Sequence, residues 1–131
     1  MAGDGVVRIA VVGAHLRGQV LHHQLADRGA VLTAETTTAP SYRLYALATE
    51  PPKPGLVRVA DGGAAIEVEV WALAPPDFAS FVDEIPAPLG IGRVVLADGS
   101  DVAGFICEPI ALEGAVDITA YGGWRAYRAA T

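Results

Sequence analysis

Apolar residues are clustered in short runs separated by Gly- and Pro-containing breaks, and the runs alternate more often than they follow a helical period. Val6-Val7-Arg8-Ile9-Ala10-Val11-Val12 is β-branched and ends at Gly13, which predicts a buried first strand. After the loop Gly13–Gly18, Leu21 and Leu25 with polar residues between them predict a short helix closed by Gly29. Ala30–Thr36 and Tyr42–Leu47 predict two strands on either side of a Thr-Thr-Thr-Ala-Pro-Ser turn. Pro51, Pro52, Pro54 and Gly55 predict a rigid loop, because proline has no N–H to give to a ladder.

The clearest alternation lies in the middle of the chain. Ile66, Val68 and Val70 point to one side, Glu67, Glu69 and Trp71 to the other, so two carboxylates share one strand face. Ala74-Pro-Pro-Asp-Phe-Ala-Ser-Phe-Val predicts a helix with proline in its first turn, where the missing N–H costs little. Pro86-Ala-Pro-Leu-Gly-Ile-Gly reads as a stiff connector, and Arg93–Leu96 and Val102–Cys107 as a hairpin around Asp98-Gly99. A last short helix is expected after Gly123. The sum is a strand-dominated α+β domain, expected as a small, twisted, partly closed β-barrel with short peripheral helices; the middle of the chain lacks the regular strand–helix alternation of a doubly wound sheet.

Composition narrows the function classes. The chain has 131 residues, expected to form a single domain over 1–131, with 52% hydrophobic residues and a net charge of −6. The charge is uneven: residues 1–60 carry six bases against four acids, residues 61–131 three against eleven. Such acidity argues against a nucleic-acid partner, and the apolar runs are far shorter than the roughly 18–20 residues of a membrane span. Cys107 is the only cysteine, so an intrachain disulfide is excluded; the expected compartment is the cytoplasm, without a membrane partner.

Candidate chemistry gathers around the first loop. Gly13-Ala-His-Leu-Arg-Gly follows a strand and precedes a helix, a place where backbone N–H groups can cradle an anion, and it carries His15 and Arg17. His22 and His23 are adjacent in the helix and face different directions, and no HExxH or CxxC spacing occurs, so no metal is expected. Glu67 and Glu69 are candidates for a base on a strand face, while Arg43 and Lys53, beside turns, are candidates for holding a carboxylate. Cys107 reads as a buried small hydrophobe, and Ser41, Ser80 and Ser100 stand in no nucleophile elbow, so covalent hydrolysis is not expected. Trp124 and Tyr127 read as packing anchors.

Several segments taken in order carry a resemblance: Val11-Val12-Gly-Ala-His-Leu-Arg-Gly, Ala39-Pro-Ser-Tyr-Arg-Leu-Tyr-Ala-Leu, Pro51-Pro-Lys-Pro-Gly-Leu, Ile66-Glu-Val-Glu-Val-Trp, Ile85-Pro-Ala-Pro-Leu-Gly-Ile-Gly, Gly104-Phe-Ile-Cys-Glu-Pro and Asp117-Ile-Thr-Ala-Tyr-Gly-Gly-Trp-Arg-Ala-Tyr. From about residue 6 to residue 128 the chain resembles the C-terminal domain of allophanate hydrolase. That resemblance implies a gamma-glutamylcyclotransferase-like fold and cofactor-free decarboxylation of N-carboxycarbamate, a small dianion formed when an amidase deaminates allophanate. It implies His15 as the proton donor, with Gly13, Ala14, Leu16 and Arg17 of the loop, and Arg43, Glu69 and Tyr121 from matching segments, around the substrate. An amidase is then the expected partner, and a homodimer is compatible with the exposed tail. Two other functions stay open: a non-catalytic docking or oligomerisation module, and, less favoured, a gamma-glutamyl-amine cyclotransferase. For the latter, the segment Ile85–Gly90, where the relatives place a catalytic glutamate, holds none, and Asp83 and Glu84 lie slightly earlier.

Overall fold

The first β-branched run sits at the middle of the molecule because it pairs on both sides. In the computed structural model, which describes residues 5–131 and leaves residues 1–4 of the expected domain outside, Val7–Val11 forms β1. β1 pairs antiparallel with β5 (Glu67–Leu73) and parallel with β7 (Asp101–Cys107). β2 (Val31–Thr37) flanks β5 and β6 (Leu89–Val95) flanks β7, giving one mixed five-stranded sheet in the order β2-β5-β1-β7-β6. A second sheet, β4-β3-β8, consists of Lys53–Arg58, Tyr42–Leu47 and Val116–Asp117. Among the described residues three short α-helices complete the α+β fold: α1 (His23–Ala26), α2 (Pro75–Asp83) and α3 (Trp124–Ala130).

The five-stranded sheet is not closed by a ladder. Its two edge strands approach at one end only, where Thr38 and Leu96 form a single bridge beyond β2 and β6, flanked by Ala39 N–H to Val95 O (2.9 Å) and Ala97 N–H to Thr37 O (3.0 Å). The two sheets are joined by side chains with one polar end: the Tyr42 hydroxyl accepts the Val95 N–H at 2.9 Å, while the rest of Tyr42 is buried. Ile9, Val11, Leu44, Ile66, Val68, Phe81, Phe105 and Trp124 form one core against both sheets. Among the described residues no helix is long and apolar enough to cross a membrane.

Two expectations are corrected by strand pairing. The Pro51–Gly55 segment does not stay a loop: Lys53–Arg58 pairs with β3, Pro54 standing opposite Ala46. It is tolerated because β4 is an edge strand, so the N–H that proline lacks is needed by no neighbour. Likewise the stiff connector after Pro86 ends earlier than expected, at Leu89, where Leu-Gly-Ile-Gly joins β6 opposite Cys107–Gly104. The Asp98-Gly99 hairpin, the helix after Gly123 and the left-handed Gly29 (φ 69°) stand where the sequence places them.

Candidate functional site

The chain leaves the end of β1 into a turn whose residues Gly13, Ala14, His15 and Leu16 are all buried. The turn is tight: Leu16 N–H donates to Gly13 O at 3.0 Å, and Leu21 N–H returns to Ala14 O at 2.8 Å. This folds the loop inward and directs the His15 ring between Phe81 of α2 and Phe105 of β7, with ring centroids 5.1 and 5.0 Å away. His15 Nε2 lies 2.8 Å from Gln24 Oε1, so the tautomer that donates to Gln24 carries its proton on Nε2. The His22 Nδ1–H donates to the His15 carbonyl at 3.0 Å, and the His22 ring packs on Trp71.

His15 lines a cavity of about 170 Å³ together with Gln24, Lys53, Phe105, Ile85 and Leu89. That is well above the roughly 10–15 Å³ needed by one water, so a ligand of several atoms fits. Glu50, Pro51, Glu84, Pro86 and Leu21 complete the wall. Lys53 is only 5% exposed, and among the described residues no carboxylate forms an ion pair with it. Glu84, by contrast, is held by Arg28 at 2.9 Å with its carboxylate half in solvent. The cavity therefore presents an ammonium and an imidazole on an apolar wall of Phe105, Ile85 and Leu89.

Burial lowers His15 from the ordinary 6.5 to about 4; the Gln24 hydrogen bond acts in the opposite direction, and the nearby positive charge of Lys53 adds to the lowering. At neutral pH the imidazole is thus neutral, ready to accept charge when an anion enters beside it.

The other residues expected at the site are placed elsewhere. Gly13, Ala14 and Leu16 shape the loop but do not line the cavity. Arg17 turns away from it and bonds Glu69, its Nε 3.0 Å from Oε2, and Glu35, its Nη2 2.5 Å from Oε1. Glu69 is buried in that ion cluster; burial raises its pKa, but hydrogen bonds from the Arg17 backbone, Arg125, the Arg17 side chain and Trp71 outweigh this and hold it below the usual carboxylate range. Arg43 is on the second sheet, paired with Asp117 at 2.8 Å and with the Gly62 carbonyl. Tyr121 is half exposed, packs on Tyr127 and lines a separate surface cleft with Gly123 and Arg125. Sequence reasoning missed Gln24, which only the fold of the loop brings to His15. Lys53, a candidate for holding a carboxylate from the sequence, is on the cavity wall but in strand β4 rather than beside a turn, whereas Arg43, the other candidate, is not.

Fold and cavity together define the class: a small α+β domain with a cavity beside the loop that follows its first strand. The chain belongs to the allophanate hydrolase C-terminal domain family, whose model matches residues 7–129. It is 46% identical over 126 residues to the urea amidolyase of Saccharomyces cerevisiae, covering 92% of this chain and 7% of that protein. Among solved structures, the allophanate hydrolase of Kluyveromyces lactis superposes with a TM-score of 0.89 at 45% identity, covering 92% of this chain and 21% of the other. A uropathogenic E. coli-specific protein superposes with a TM-score of 0.88 at 36% identity, covering 95% of this chain and 96% of that one. A mouse AIG2-like protein, at 20% identity and a TM-score of 0.61, shares the fold alone. The chain thus spans a small fraction of the curated enzymes it matches.

Proposed function

We propose that the domain decarboxylates N-carboxycarbamate to carbamate and carbon dioxide, with His15 as proton donor and Lys53 as the cation that holds a carboxylate. The observation that carries this reading is the meeting of a buried imidazole and a buried ammonium, neither bonded to a carboxylate, in one small cavity. A buried cation left without an acidic partner favours an anionic ligand, and a neutral imidazole beside it can take up a proton when that anion enters.

In the reaction the C–N bond to the departing carboxylate breaks, its electron pair moves to nitrogen, and nitrogen gains a proton as carbon dioxide leaves. The nitrogen needs an acid and the remaining carboxylate needs a fixed cation; no electron sink is required, because the electrons end on nitrogen rather than carbon. His15 is neutral at pH 7, and the two charges of the substrate act against the effects that lower it, so the proton enters with the dianion. Lys53 stays on the carboxylate that becomes carbamate. Phe105, Ile85 and Leu89 give the departing carboxylate an apolar surface, which favours loss of its charge as neutral carbon dioxide. An amidase that deaminates allophanate supplies the substrate; the membership of the relatives in urea-degrading enzymes supports this place in the sequence of reactions.

The test compares release of carbon dioxide from N-carboxycarbamate, generated in place by a separate amidase, with wild type, with His15→Gln and with no added domain at neutral pH. Acceleration by wild type that falls at least about a hundredfold in His15→Gln supports the reading. Equal rates in all three reject it and leave the domain a docking or oligomerisation role.

A further inference from the structure

Glu69 stands opposite Val11, the last residue of β1, and opposite Glu35 on the neighbouring strand β2. Two carboxylates face to face across a ladder repel each other, yet Glu69 is 1% exposed. Four donors satisfy it: the Arg17 backbone N–H (3.0 Å), Arg17 Nε (3.0 Å), Trp71 Nε1–H (3.2 Å) and Arg125 Nη2 (2.7 Å). The same Arg125 Nη2 donates to the Arg17 carbonyl at 2.9 Å. Both peptide groups of the residue two positions after His15 are therefore tied down, the N–H to a strand of the central sheet and the carbonyl to the C-terminal helix α3.

We propose that Glu69 and Arg125 are positioning residues for His15, which makes α3 a working part of a site that none of its residues lines. The inference deepens the decarboxylase reading and rests on it only for its effect on turnover. Packing alone does not account for the arrangement. A buried ion pair is often matched in stability by apolar residues of equal volume, but apolar residues cannot hold the N–H and carbonyl of a loop. The restraint has two anchors: the Arg17 contacts tie the loop to β5 and α3, and the His22 Nδ1–H holds the His15 carbonyl. The imidazole, lying between Phe81 and Phe105, is thus held through the residue's own carbonyl and through the peptide groups two residues further on.

The experiment reads His15 directly, by NMR titration of its imidazole, alongside turnover in the amidase-coupled assay. The variants are Arg125→Ala, Arg125→Lys and Glu69→Gln, with Arg93→Ala, which breaks an exposed hairpin ion pair with Asp101, as control. Wild type is expected to titrate well below the ordinary value, near 4, because the imidazole is buried. In Arg125→Ala and Glu69→Gln the freed loop admits water, and His15 moves upward toward the ordinary value of about 6.5. Turnover falls about tenfold or more in kcat with KM changed less than about threefold, since a loop misplaced by about 1 Å costs orientation rather than binding. Arg125→Lys, which keeps the charge on Glu69, recovers part of both, and Arg93→Ala changes neither. If folded Arg125→Ala and Glu69→Gln titrate as wild type does, and only melt earlier, the role is structural and the proposal fails. Should wild type itself show no turnover, the decarboxylase reading falls while the titration still decides the positioning role. Should Glu69→Gln not fold, Arg125→Ala, whose side chain is one-third exposed, decides alone.

Discussion

The ring of Pro54 lies directly on the backbone of Gly13: a β-carbon on Gly13 would come within 2.2 Å of Pro54 Cδ and 2.4 Å of Cγ. The loop that carries His15 and the strand that carries Lys53 are thereby in contact, and the glycine in the loop is required by that approach rather than by a turn. Lys53 immediately precedes Pro54, so the closeness of loop to edge strand brings the two cavity groups to one place.

Gly13→Ala is expected to destabilise the fold by about 1–3 kcal/mol, because the Pro54 ring cannot retreat without moving β4. Gly90→Ala on β6, where a β-carbon meets nothing within 4 Å, is expected to be neutral or to stabilise by about 0.5–1 kcal/mol. Denaturant unfolding of the two variants checks the contrast; equal effects would remove the close approach as the reason for Gly13.

Stability should depend on pH through His15. Unfolded, the imidazole titrates at about 6.5; folded, at about 4. Between these values the unfolded chain binds a proton that the folded chain refuses. The stabilisation is therefore complete above pH 6.5 and is lost as the pH falls, by about 3 kcal/mol at pH 4. In His15→Gln, unfolding free energies at pH 7 and pH 4.5 should differ far less than in wild type. Glu69, held below the ordinary carboxylate range by its hydrogen bonds, contributes stability that is likewise present above that range and lost as the pH falls below it.

Lys53→Met tests the cation. Burial of an ammonium without an acidic partner opposes folding, so the variant should melt at the same temperature as wild type or higher. KM for N-carboxycarbamate should rise about tenfold or more, the effect of one lost charge-assisted contact in a buried site. His15 should titrate above its wild-type value, because Lys53 is one of the charges that lowers it. A variant with unchanged KM and unchanged His15 titration would place Lys53 outside the binding site.

The amino-acid sequence by itself determined the strands with strong alternation. Ile66–Trp71, the hairpin around Asp98-Gly99 and the start of the last helix after Gly123 depend on the backbone preferences of a few adjacent residues and are found in place, whereas the first helix, expected to run to Gly29, stops at Ala26 and reaches the left-handed Gly29 through a turn. The family was legible from the order of its segments, and residues 7–129 match it. His15 was legible as a candidate because a histidine in a glycine-flanked loop after a buried strand has few local uses. The tertiary structure alone decided which charges meet. The resemblance implies Arg17 and Glu69 as substrate ligands, yet they bond to each other across 52 residues of sequence, because strand register sets Glu69 at the end of β1 where the loop begins. Lys53 reaches His15 only because Pro54 is admitted to an edge strand and packs on Gly13. Local periodicity is fixed within a turn or two of chain, whereas the partner of a buried charge depends on pairings between distant strands, which no short window of sequence contains.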